Sequence, residues 1–469
     1  MSLEKVLYLI ILIEGYIVLA VELLAIRQII PFVGNGIETI AIVVAAVLMP
    51  LALGYYAGGK YKPKTKGKYF FSVRTKLINN IITAAFILPL GLSYLVLQIF
   101  FPILDFAGAT NRIVQTIIYS LLFIAYPTFL LGQTIPLVSN YFSQKKLSEI
   151  AGKMLFFSTT GSFLGSIIST LILMSLIGVN NTVIITISLM ALLVLILNRK
   201  ILSTYSALIF IPVIFIFLSN NNNVMQKHGI VGNNNYSTVE ILKNNHFDIN
   251  KERTLSVNRS RSSRYSPNSD RRFNFVKYVE DTFIPSKAKN KKSILIIGAG
   301  GFTIGLYDDY NEYTYIDIDK SLKQISEDFF LEKPLSKNKL FIAEPARSFL
   351  ARNKQQYDFI FVDAYSNALS IPSDLITQEF FLQLKSSVKD GGIVALNIIS
   401  SANFKDRFSV KLDNTLHLVF GNLNRYVIGN YRGFSDGTET RNVIYSYFNN
   451  AAESGIYTDD RNSSYLDKK

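Results

Sequence analysis

Cysteine is absent from this 469-residue chain, and histidine occurs only three times. Without cysteine there is no disulfide bond, no thiolate nucleophile and no cysteine-based zinc site. The histidines His228, His246 and His417 have no metal-ligand spacing between them, so each is expected to be a surface or packing residue. We therefore expect no metal in this protein.

Charged residues are scarce over long stretches of the first 219 residues. Most of these stretches reach the ~20 apolar residues that a helix needs to cross ~30 Å of hydrocarbon, although the last two are shorter. We predict a multi-pass transmembrane domain at residues 1–219, with six or seven helices and the lipid bilayer as its partner. The apolar segments are 6–30, 37–58, 77–103, 113–139, 154–178, 182–197 and 201–218.

Positive charge is concentrated in the loops of this first part. Residues 1–219 hold 15 Lys and Arg against 6 Asp and Glu, whereas the rest of the chain holds 33 against 28. The basic residues gather in alternate loops, which indicates cytoplasmic loops rather than nucleic-acid binding. The pattern predicts a cell-membrane protein whose N-terminus and Lys60–Lys76 loop are cytoplasmic. Further basic loop residues are Lys145, Lys146, Lys153, Arg199 and Lys200.

Two acidic residues, Glu14 and Glu22, lie within the first apolar segment. A carboxylate in hydrocarbon costs several kcal/mol, so it usually faces a protein interior or water. Eight residues at 100° each place the two acids about 80° apart, loosely on the same side of a helix. Two interpretations stay open: a path for a small molecule or cation, or neutralisation inside the protein. The candidates for neutralisation are Arg27, Gln98, Gln115 and Gln133.

The remaining chain has an ordinary globular composition. Its asparagine-rich start predicts a linker at residues 220–235. Short alternating apolar and polar stretches predict a small β-region at residues 236–290. A catalytic domain is predicted at residues 291–450, followed by a polar tail at 451–469. Five arginines between Arg259 and Arg272 either bind phosphate or acidic headgroups, or belong to a solvated turn.

The most informative pattern is a strand that leads into a glycine turn at Gly298, Gly300 and Gly301. A second strand ends at Asp317 about 20 residues later, and a further strand ends at Asp363. Ligands of doubly wound sheets bind at the C-terminal ends of the strands, where a glycine turn admits the cofactor and an acid accepts hydrogen bonds from ribose. The layout predicts an α/β doubly wound, Rossmann-like domain.

The glycine turn differs from the turn that holds a dinucleotide. Phe302 and Thr303 stand where Gly-x-Gly-x-x-Gly needs its spacing and its final glycine, so nothing cradles a diphosphate. The sequence therefore favours a nucleoside sulfonium cofactor over NAD.

Taken together, these residues resemble the spermidine synthases, the polyamine aminopropyltransferases, and more closely their membrane-fused bacterial relatives. The resemblance covers about residues 236–420 and implies a class I methyltransferase-type fold. There it is carried by Tyr236-Ser-Thr-Val, Gly298-Ala-Gly-Gly-Phe-Thr, Tyr315-Ile-Asp-Ile-Asp, Ala346-Arg-Ser-Phe-Leu, Tyr357-Asp-Phe-Ile-Phe-Val-Asp-Ala-Tyr-Ser and Ser370-Ile-Pro-Ser-Asp-Leu-Ile-Thr. The membrane part matches through Glu22-Leu-Leu-Ala-Ile-Arg, Leu51-Ala-Leu-Gly-Tyr-Tyr-Ala-Gly-Gly and Pro127-Thr-Phe-Leu-Leu-Gly-Gln-Thr-Ile-Pro.

The resemblance implies a transferase of polyamine biosynthesis. It moves an aminopropyl group from decarboxylated S-adenosylmethionine, or uses S-adenosylmethionine itself, with a putrescine-like amine as acceptor. By this resemblance Asp363 is the catalytic base and Tyr236 helps to hold the amine. Asp317 contacts the cofactor ribose, Asp270 the aminopropyl ammonium, and Glu344 is the candidate for the adenine. The three glycines of the turn also bind the cofactor. A homodimer is compatible with the resemblance, and no nucleic-acid partner is expected.

The expected cofactor is made in the cytosol, so the catalytic domain should lie on the cytoplasmic side of the membrane. Seven crossings would place the catalytic domain outside the cell, whereas we predict that it is cytoplasmic. The last apolar segment contains Pro212 and is the first candidate for a re-entrant or surface-lying element.

The sequence departs from the family pattern in the acceptor pocket. Ser366 stands in place of a second acid, Ser262 in place of a glutamine and Arg259 in place of a glycine, and Phe275 replaces a polar contact. Two alternatives therefore stay open beside the aminopropyltransferase. One is an S-adenosylmethionine-dependent methyltransferase that acts on a membrane-delivered substrate. The other is a non-catalytic, cofactor-binding membrane sensor or carrier.

Overall fold

The computed structural model of this chain divides into two compact units. It describes residues 3–62, 69–142, 147–198, 203–243, 249–284, 290–364, 372–429 and 440–449. The first unit contains Met1–Ile241 and Val257–Ser260. The second contains Leu242–Ser256, Arg261–Tyr365 and Ile371–Lys469. The predicted polar tail, Ser366 and His246 lie outside the described residues.

The first unit is mainly helical, as the apolar segments predict. Two helices contain or adjoin π-helical turns, at Ser120–Ala125 and Ile168–Leu173. The helices are α1 (Leu3–Val33), α2 (Ile37–Gly59), α3 (Tyr69–Leu92), α4 (Tyr94–Phe106), α5 (Arg112–Tyr119), α6 (Tyr126–Gly132), α7 (Thr134–Ser139), α8 (Leu147–Ile167), α9 (Met174–Leu176), α10 (Gly178–Asn198), α11 (Thr204–Asn220) and α12 (Asn222–Lys227).

Within the described residues, six stretches are long and apolar enough to cross a membrane. The predicted segment 77–103 is broken at Ser93, whose extended backbone separates α3 from α4. The last predicted segment is α11, which has 17 residues and carries Pro212 inside. The six stretches are Leu3–Val33, Ile37–Gly59, Val73–Leu92, Arg112–Phe142, Ser148–Leu176 and Gly178–Asn198.

Helices α1 and α8 pack against each other through glycine. A Cβ atom at Gly15 would overlap the backbone oxygen of Ser158, and one at Gly161 would overlap that of Leu12. Backbones can approach this closely only where a side chain is missing, a packing mode that is common between membrane helices. The glycines of the first unit thus explain how α1 becomes a buried helix.

Glu14 and Glu22 of α1 are both buried. The polar residues that were candidates for neutralising them bind elsewhere. Arg27 donates hydrogen bonds to Asn233, Asn234 and Thr238, and Gln98 donates to Glu240. Gln115 bonds Asp105 and Arg112, and Gln133 accepts from Asn80.

The junction contains regular structure. Residues 220–235, predicted as a linker, include α12, whose N-cap Asn221 accepts from the backbone of Val224, and the strand β1 (Ile230–Asn233). With β2 (Thr238–Lys243), β3 (Arg253–Val257) and β4 (Ser260–Tyr265) it forms a sheet in the order β1-β2-β3-β4. The predicted β-region also holds a helix, α13 (Asn274–Phe283).

The arginines between 259 and 272 do not form one basic patch. Arg264 and Arg271 both face Glu252, at 3.5 and 3.6 Å. Arg272 is buried against Asp270 and Glu280. Three of the five arginines therefore have acidic partners within the protein.

The second unit is built on a seven-stranded sheet in the order β10-β11-β9-β8-β5-β6-β7. Strands β5 to β9 are parallel, whereas β10 and β11 are antiparallel additions at one edge. This confirms the doubly wound, methyltransferase-type fold. The strands are β5 (Ser293–Ile297), β6 (Glu312–Asp317), β7 (Lys339–Ala343), β8 (Tyr357–Val362), β9 (Val388–Ser401), β10 (Asn424–Val427) and β11 (Thr440–Phe448). The helices are α14 (Leu322–Ile325), α15 (Ala346–Arg352), α16 (Gln378–Ser387) and α17 (Arg407–Phe420).

The apolar run of β5 follows from burial of both sheet faces. Leu295 and Ile297 belong to one core cluster, with residues of α15, α16 and α17. Ile294 and Ile296 belong to another, with residues of α13. Parallel strands covered on both faces have continuous rather than alternating apolar residues.

The cysteine-free chain allows a direct test of topology. The charge pattern predicts that Lys62 lies inside the cell, and a cytosolic cofactor requires the same of Asn290. The structure places Lys62 and the β1–β2 turn at opposite ends of the first unit, because Asn233 contacts Gln28 near the end of α1 and Asn180 near the start of α10.

We predict that Asn290→Cys has the same accessibility to an impermeant thiol reagent on intact cells as Thr110→Cys, and the opposite accessibility from Lys62→Cys, because no described helix long enough to cross a membrane lies between the β1–β2 turn and Asn290. A cytoplasmic second unit then requires that only Lys62→Cys is labelled. Permeabilised cells should label all three. Labelling of Asn290→Cys in intact cells would contradict the cytoplasmic assignment.

Candidate active site

The predicted site residues of the second unit meet where β5 and β8 end. The backbone N–H of Asp363 donates to the Ile297 carbonyl at 2.8 Å, and that of Gly298 donates to Ile316 at 2.9 Å. Gly298 has φ +92°, and a Cβ there would overlap the Asp363 carbonyl oxygen. Only glycine fits both the dihedral angle and the close approach.

Asp363 has the environment of a proton acceptor. Its half-buried carboxylate accepts a hydrogen bond from the Asn397 amide of β9 at 2.9 Å. Burial raises the pKa of Asp363 to about 7, while the bond from Asn397 acts in the opposite direction. A carboxylate with a pKa near neutrality is suited to general-base catalysis.

The glycine turn is supported by Ser263 of β4 and by Ser326, which follows α14. The Ser263 hydroxyl accepts from the Gly301 backbone N–H at 2.9 Å, and Ser326 donates to the Gly301 carbonyl at 3.2 Å. A Cβ at Gly300 would lie 2.9 Å from both Ser262 Oγ and Ser263 Oγ. Ser262, which replaces the family's glutamine, therefore lies against the turn.

Asp317, which ends β6, and Asp319 make different hydrogen bonds. Asp319 is buried and accepts from the Ser321 backbone and hydroxyl, at 2.9 and 2.7 Å, so it stabilises the start of α14. Asp317 is only partly buried and accepts from Ala299 and Asp319 N–H groups, both at 3.0 Å. Burial raises the pKa of Asp317 to about 6. Its remaining lone pairs can accept ribose hydroxyls. Exposed Ile318 lies between the two acids.

Glu344 lies beside Asp317 but is paired. Its backbone N–H donates to the Asp317 carbonyl at 2.8 Å, as expected for neighbouring parallel strands. Its carboxylate is bound by Arg352 of α15, whose Nε lies 2.9 and 3.0 Å from the two oxygens. This hydrogen-bonded guanidinium holds the pKa of Glu344 below its usual range.

Asp270 is also bound by an arginine. Arg272 donates from Nε and Nη2 to its two carboxylate oxygens, at 2.8 and 3.1 Å. The same guanidinium bonds Glu280 at 2.6–2.7 Å and the Thr303 carbonyl at 3.2 Å. The hydrogen bonds from Arg272 lower the pKa of Asp270. Arg272 thus links Asp270 to the loop after the glycine turn, and its positive charge already balances that acid.

Tyr236 belongs to the first unit, in the turn before β2. Its side chain is 45% exposed, so the hydroxyl is accessible. The side chain of Asn234 accepts hydrogen bonds from the Tyr236 and Ser237 backbone N–H groups, at 2.8 and 3.0 Å. This Asx-turn fixes the backbone that carries Tyr236.

Sequence patterns did not identify Asn397, Ser263 or Arg352, and they did not predict that Arg272 binds Asp270. Each acts through a contact with a residue on another element or turn, and no short motif signals such a contact. In the described part of the chain, no group of three His, Asp or Glu side chains could hold a metal ion.

Comparison with known proteins agrees with this geometry. The family model described as the spermine/spermidine synthase domain matches residues 282–431. The polyamine aminopropyltransferase of Vibrio vulnificus is 28% identical over 201 residues, which cover 41% of this chain and 65% of that protein. A probable polyamine aminopropyl transferase of Bifidobacterium longum is 28% identical over 147 residues, 30% of this chain and 31% of that protein.

The chain thus spans just under two thirds of the first relative and about a third of the second. Among solved structures, a probable spermidine synthase from Corynebacterium glutamicum aligns with a TM-score of 0.38 at 18% identity. That alignment covers 50% of this chain and 82% of the other. Residues 282–431 thus match the spermine/spermidine synthase domain, and the described part of the first unit has six apolar helical stretches long enough to span a membrane.

Proposed function

We propose that this protein is a membrane-anchored aminopropyltransferase that joins an aminopropyl group from decarboxylated S-adenosylmethionine to a putrescine-like amine. The matched domain and the relatives named aminopropyltransferases support the reaction class. The observation that carries the proposal is Asp363, a half-buried carboxylate at a strand end beside the glycine turn.

The fit to the donor rests on three features of the second unit. The glycine turn allows close approach of a ligand, Asp317 retains acceptor capacity, and Phe302 and Thr303 stand where the diphosphate-binding pattern needs its spacing and final glycine. When bound, the donor supplies a carbon activated by its sulfonium, and the carbon–sulfur bond breaks with its electron pair left on sulfur. Asp317 is assigned to the ribose, and the glycines to the close face of the nucleoside.

Asp363 is assigned to the acceptor. An alkyl ammonium has a pKa near 10, so at neutral pH it must lose a proton before its nitrogen can attack. The Asp363 carboxylate takes that proton while the nitrogen forms its bond to the aminopropyl carbon. Such a positioned base contributes roughly 10²–10⁴-fold. Tyr236 is assigned to holding the amine.

Asp270 and Glu344 are already bound by arginine side chains, which weakens their assignment to donor binding. Asp270 is the proposed partner of the donor's ammonium, but an ammonium there shares the carboxylate with Arg272. Glu344 is the proposed adenine contact, but its carboxylate is bound by Arg352. Both assignments therefore involve displacement or sharing of an existing ion pair.

Replacing Asp363 tests the base. We expect Asp363→Asn to lower turnover by about 10²-fold or more, because the amide keeps the shape but accepts no proton. Donor affinity should be unchanged. The melting temperature at pH 8 should not fall, because the raised pKa means that ionised Asp363 costs folding free energy above the unfolded-state pKa of about 3.9. Mass analysis of products with candidate amines gives the readout, and full turnover of this variant would exclude the mechanism.

Wild-type activity should also follow the ionisation of Asp363. Since burial raises its pKa to about 7 in the free protein, kcat/KM should rise as the pH increases through that value. Asn397→Ala removes a hydrogen bond that favours the charged form, so the midpoint should move upward by about one pH unit. A midpoint unchanged in Asn397→Ala would show that another group controls the profile.

Replacing Asp317 tests the donor site. We expect Asp317→Ala to weaken donor binding by roughly 1–3 kcal/mol, the cost of losing hydrogen bonds to a charged group. Wild-type binding should also weaken below pH 6, where Asp317 becomes protonated. Calorimetry with both S-adenosylmethionine and its decarboxylated form gives the readout. Productive use of S-adenosylmethionine alone would favour the methyltransferase alternative, and unchanged affinity of the variant for both forms would remove Asp317 from the site.

A further inference from the structure

The turn that carries Tyr236 is held by a residue of an apolar helix. Arg27, near the end of α1, donates from Nε to the Asn234 backbone carbonyl at 2.6 Å. Asn234 is the residue whose side chain forms the Asx-turn under Tyr236. The Arg27 guanidinium therefore fixes the backbone of the turn. Arg27, Asn234 and Tyr236 all belong to the first unit.

Arg27 also fixes both sides of the turn. Its Nη2 lies 3.3 Å from Asn233 Oδ1 and 3.2 Å from Thr238 Oγ1, residues that end β1 and begin β2. Thr238 in turn donates to Asn233 Oδ1 at 3.1 Å. Arg27 is 6% exposed and Thr238 is fully buried, so water competes little for these bonds.

The surrounding polar groups extend this network into other helices. Asn233 donates to Gln28 of α1 at 3.3 Å and to Asn180 of α10 at 3.0 Å. Further along β2, Glu240 accepts from Tyr94 and Gln98 of α4, at 2.8 and 3.0 Å. Strand β2 is thus anchored at two points to helices of the apolar region.

A packing role alone does not account for this arrangement. An apolar helix end could support a hairpin with apolar side chains, whereas a buried arginine is stable only with its hydrogen bonds in place. These bonds reach the Asn234 backbone carbonyl and the side chains of Asn233 and Thr238, on either side of an exposed tyrosine. Their directional geometry is suited to keeping the Tyr236 hydroxyl in one position.

We propose that Arg27 is a positioning residue for Tyr236, so that the apolar helical region contributes to amine binding and does more than anchor the protein. The inference rests on the proposed function, in which Tyr236 holds the attacking amine. Helix α1 then takes part in amine binding, although it lies outside the matched domain, residues 282–431.

A double-mutant cycle on the full-length protein tests this role. Arg27→Gln should raise the KM for the amine by about 10-fold and leave the KM for the donor unchanged. Arg27→Lys keeps the charge but has fewer hydrogen-bond donors, so its effect on the KM for the amine should be intermediate. In a Tyr236→Phe background, Arg27→Gln should add less than about 2-fold, because the residue through which it acts has already lost its hydroxyl. An equal loss in both backgrounds would overturn the proposal.

Arg112→Gln is the matched control. Arg112 is an arginine of the same unit that bonds Asp105 and Gln115 and does not contact the turn. This variant should have wild-type kinetics. If it raises the KM for the amine as much as Arg27→Gln does, the effect belongs to general loss of an arginine and the proposal fails.

A second pair of variants keeps the proposal testable if Arg27→Gln does not fold. Asn234→Asp keeps the acceptor of the Asx-turn, whereas Asn234→Ala removes it. Only Asn234→Ala should raise the KM for the amine, and identical behaviour of the two would contradict the role of the turn.

The role of Arg27 in fixing the turn can be tested even if the proposed function is wrong. If the wild type transfers no aminopropyl group to any amine, hydrogen exchange at the Tyr236 and Ser237 amides still tests the geometry. Arg27→Lys should speed exchange there at least 10-fold relative to Arg112→Gln. Unchanged exchange would overturn the inference itself.

Discussion

The contact between the ends of β5 and β8 is the constraint on which the site depends. Asp363 donates its backbone N–H to Ile297, and Gly298, without a side chain, lies against the Asp363 carbonyl. Gly298 also donates to Ile316, at the end of β6. One glycine therefore joins three strand ends. Any Cβ there would force β8 away from β5 and separate Asp363 from the turn.

The sheet could be predicted because its signals are local. Continuous apolar residues of β5 indicate burial on both faces, and turns with glycine or acid mark the strand ends. The helix break at Ser93 was not predicted, although Pro89, Gly91 and Ser93 are residue types that mark helix ends and starts. Residues 389–392 follow α16, which ends at Ser387, and lie within β9, where the pairing with β8 is irregular. Strand pairing across the sheet decided the conformation of these glycines.

The site was predictable to a similar extent. Asp363, Asp317 and the glycines sit at strand ends, where sequence patterns identify them directly. The arginines that bind Asp270 and Glu344 were missed, because a spacing of two or eight residues outside a regular helix indicates no contact. Arg27 and Asn234 are separated by 207 residues, and only the folded first unit brings them together.

The pattern of ion pairs separates the acids of the proposed site into two groups. Asp270 and Glu344 are balanced by Arg272 and Arg352, and the pKa of each is lowered. Asp317 and Asp363 have no ion-pair partner among the described residues, and burial raises the pKa of each.

A site with this charge distribution favours a cationic ligand over an anionic one. A positive charge within a few ångströms of a carboxylate favours its ionised form and lowers its pKa. In the proposed reaction, the sulfonium donor and the ammonium acceptor both bring such a charge. Before they bind, burial holds the pKa of Asp363 at about 7, so part of the protein carries a protonated Asp363 at neutral pH. Substrate binding would therefore itself convert Asp363 into the charged base, so that proton removal becomes efficient when both reactants are in place.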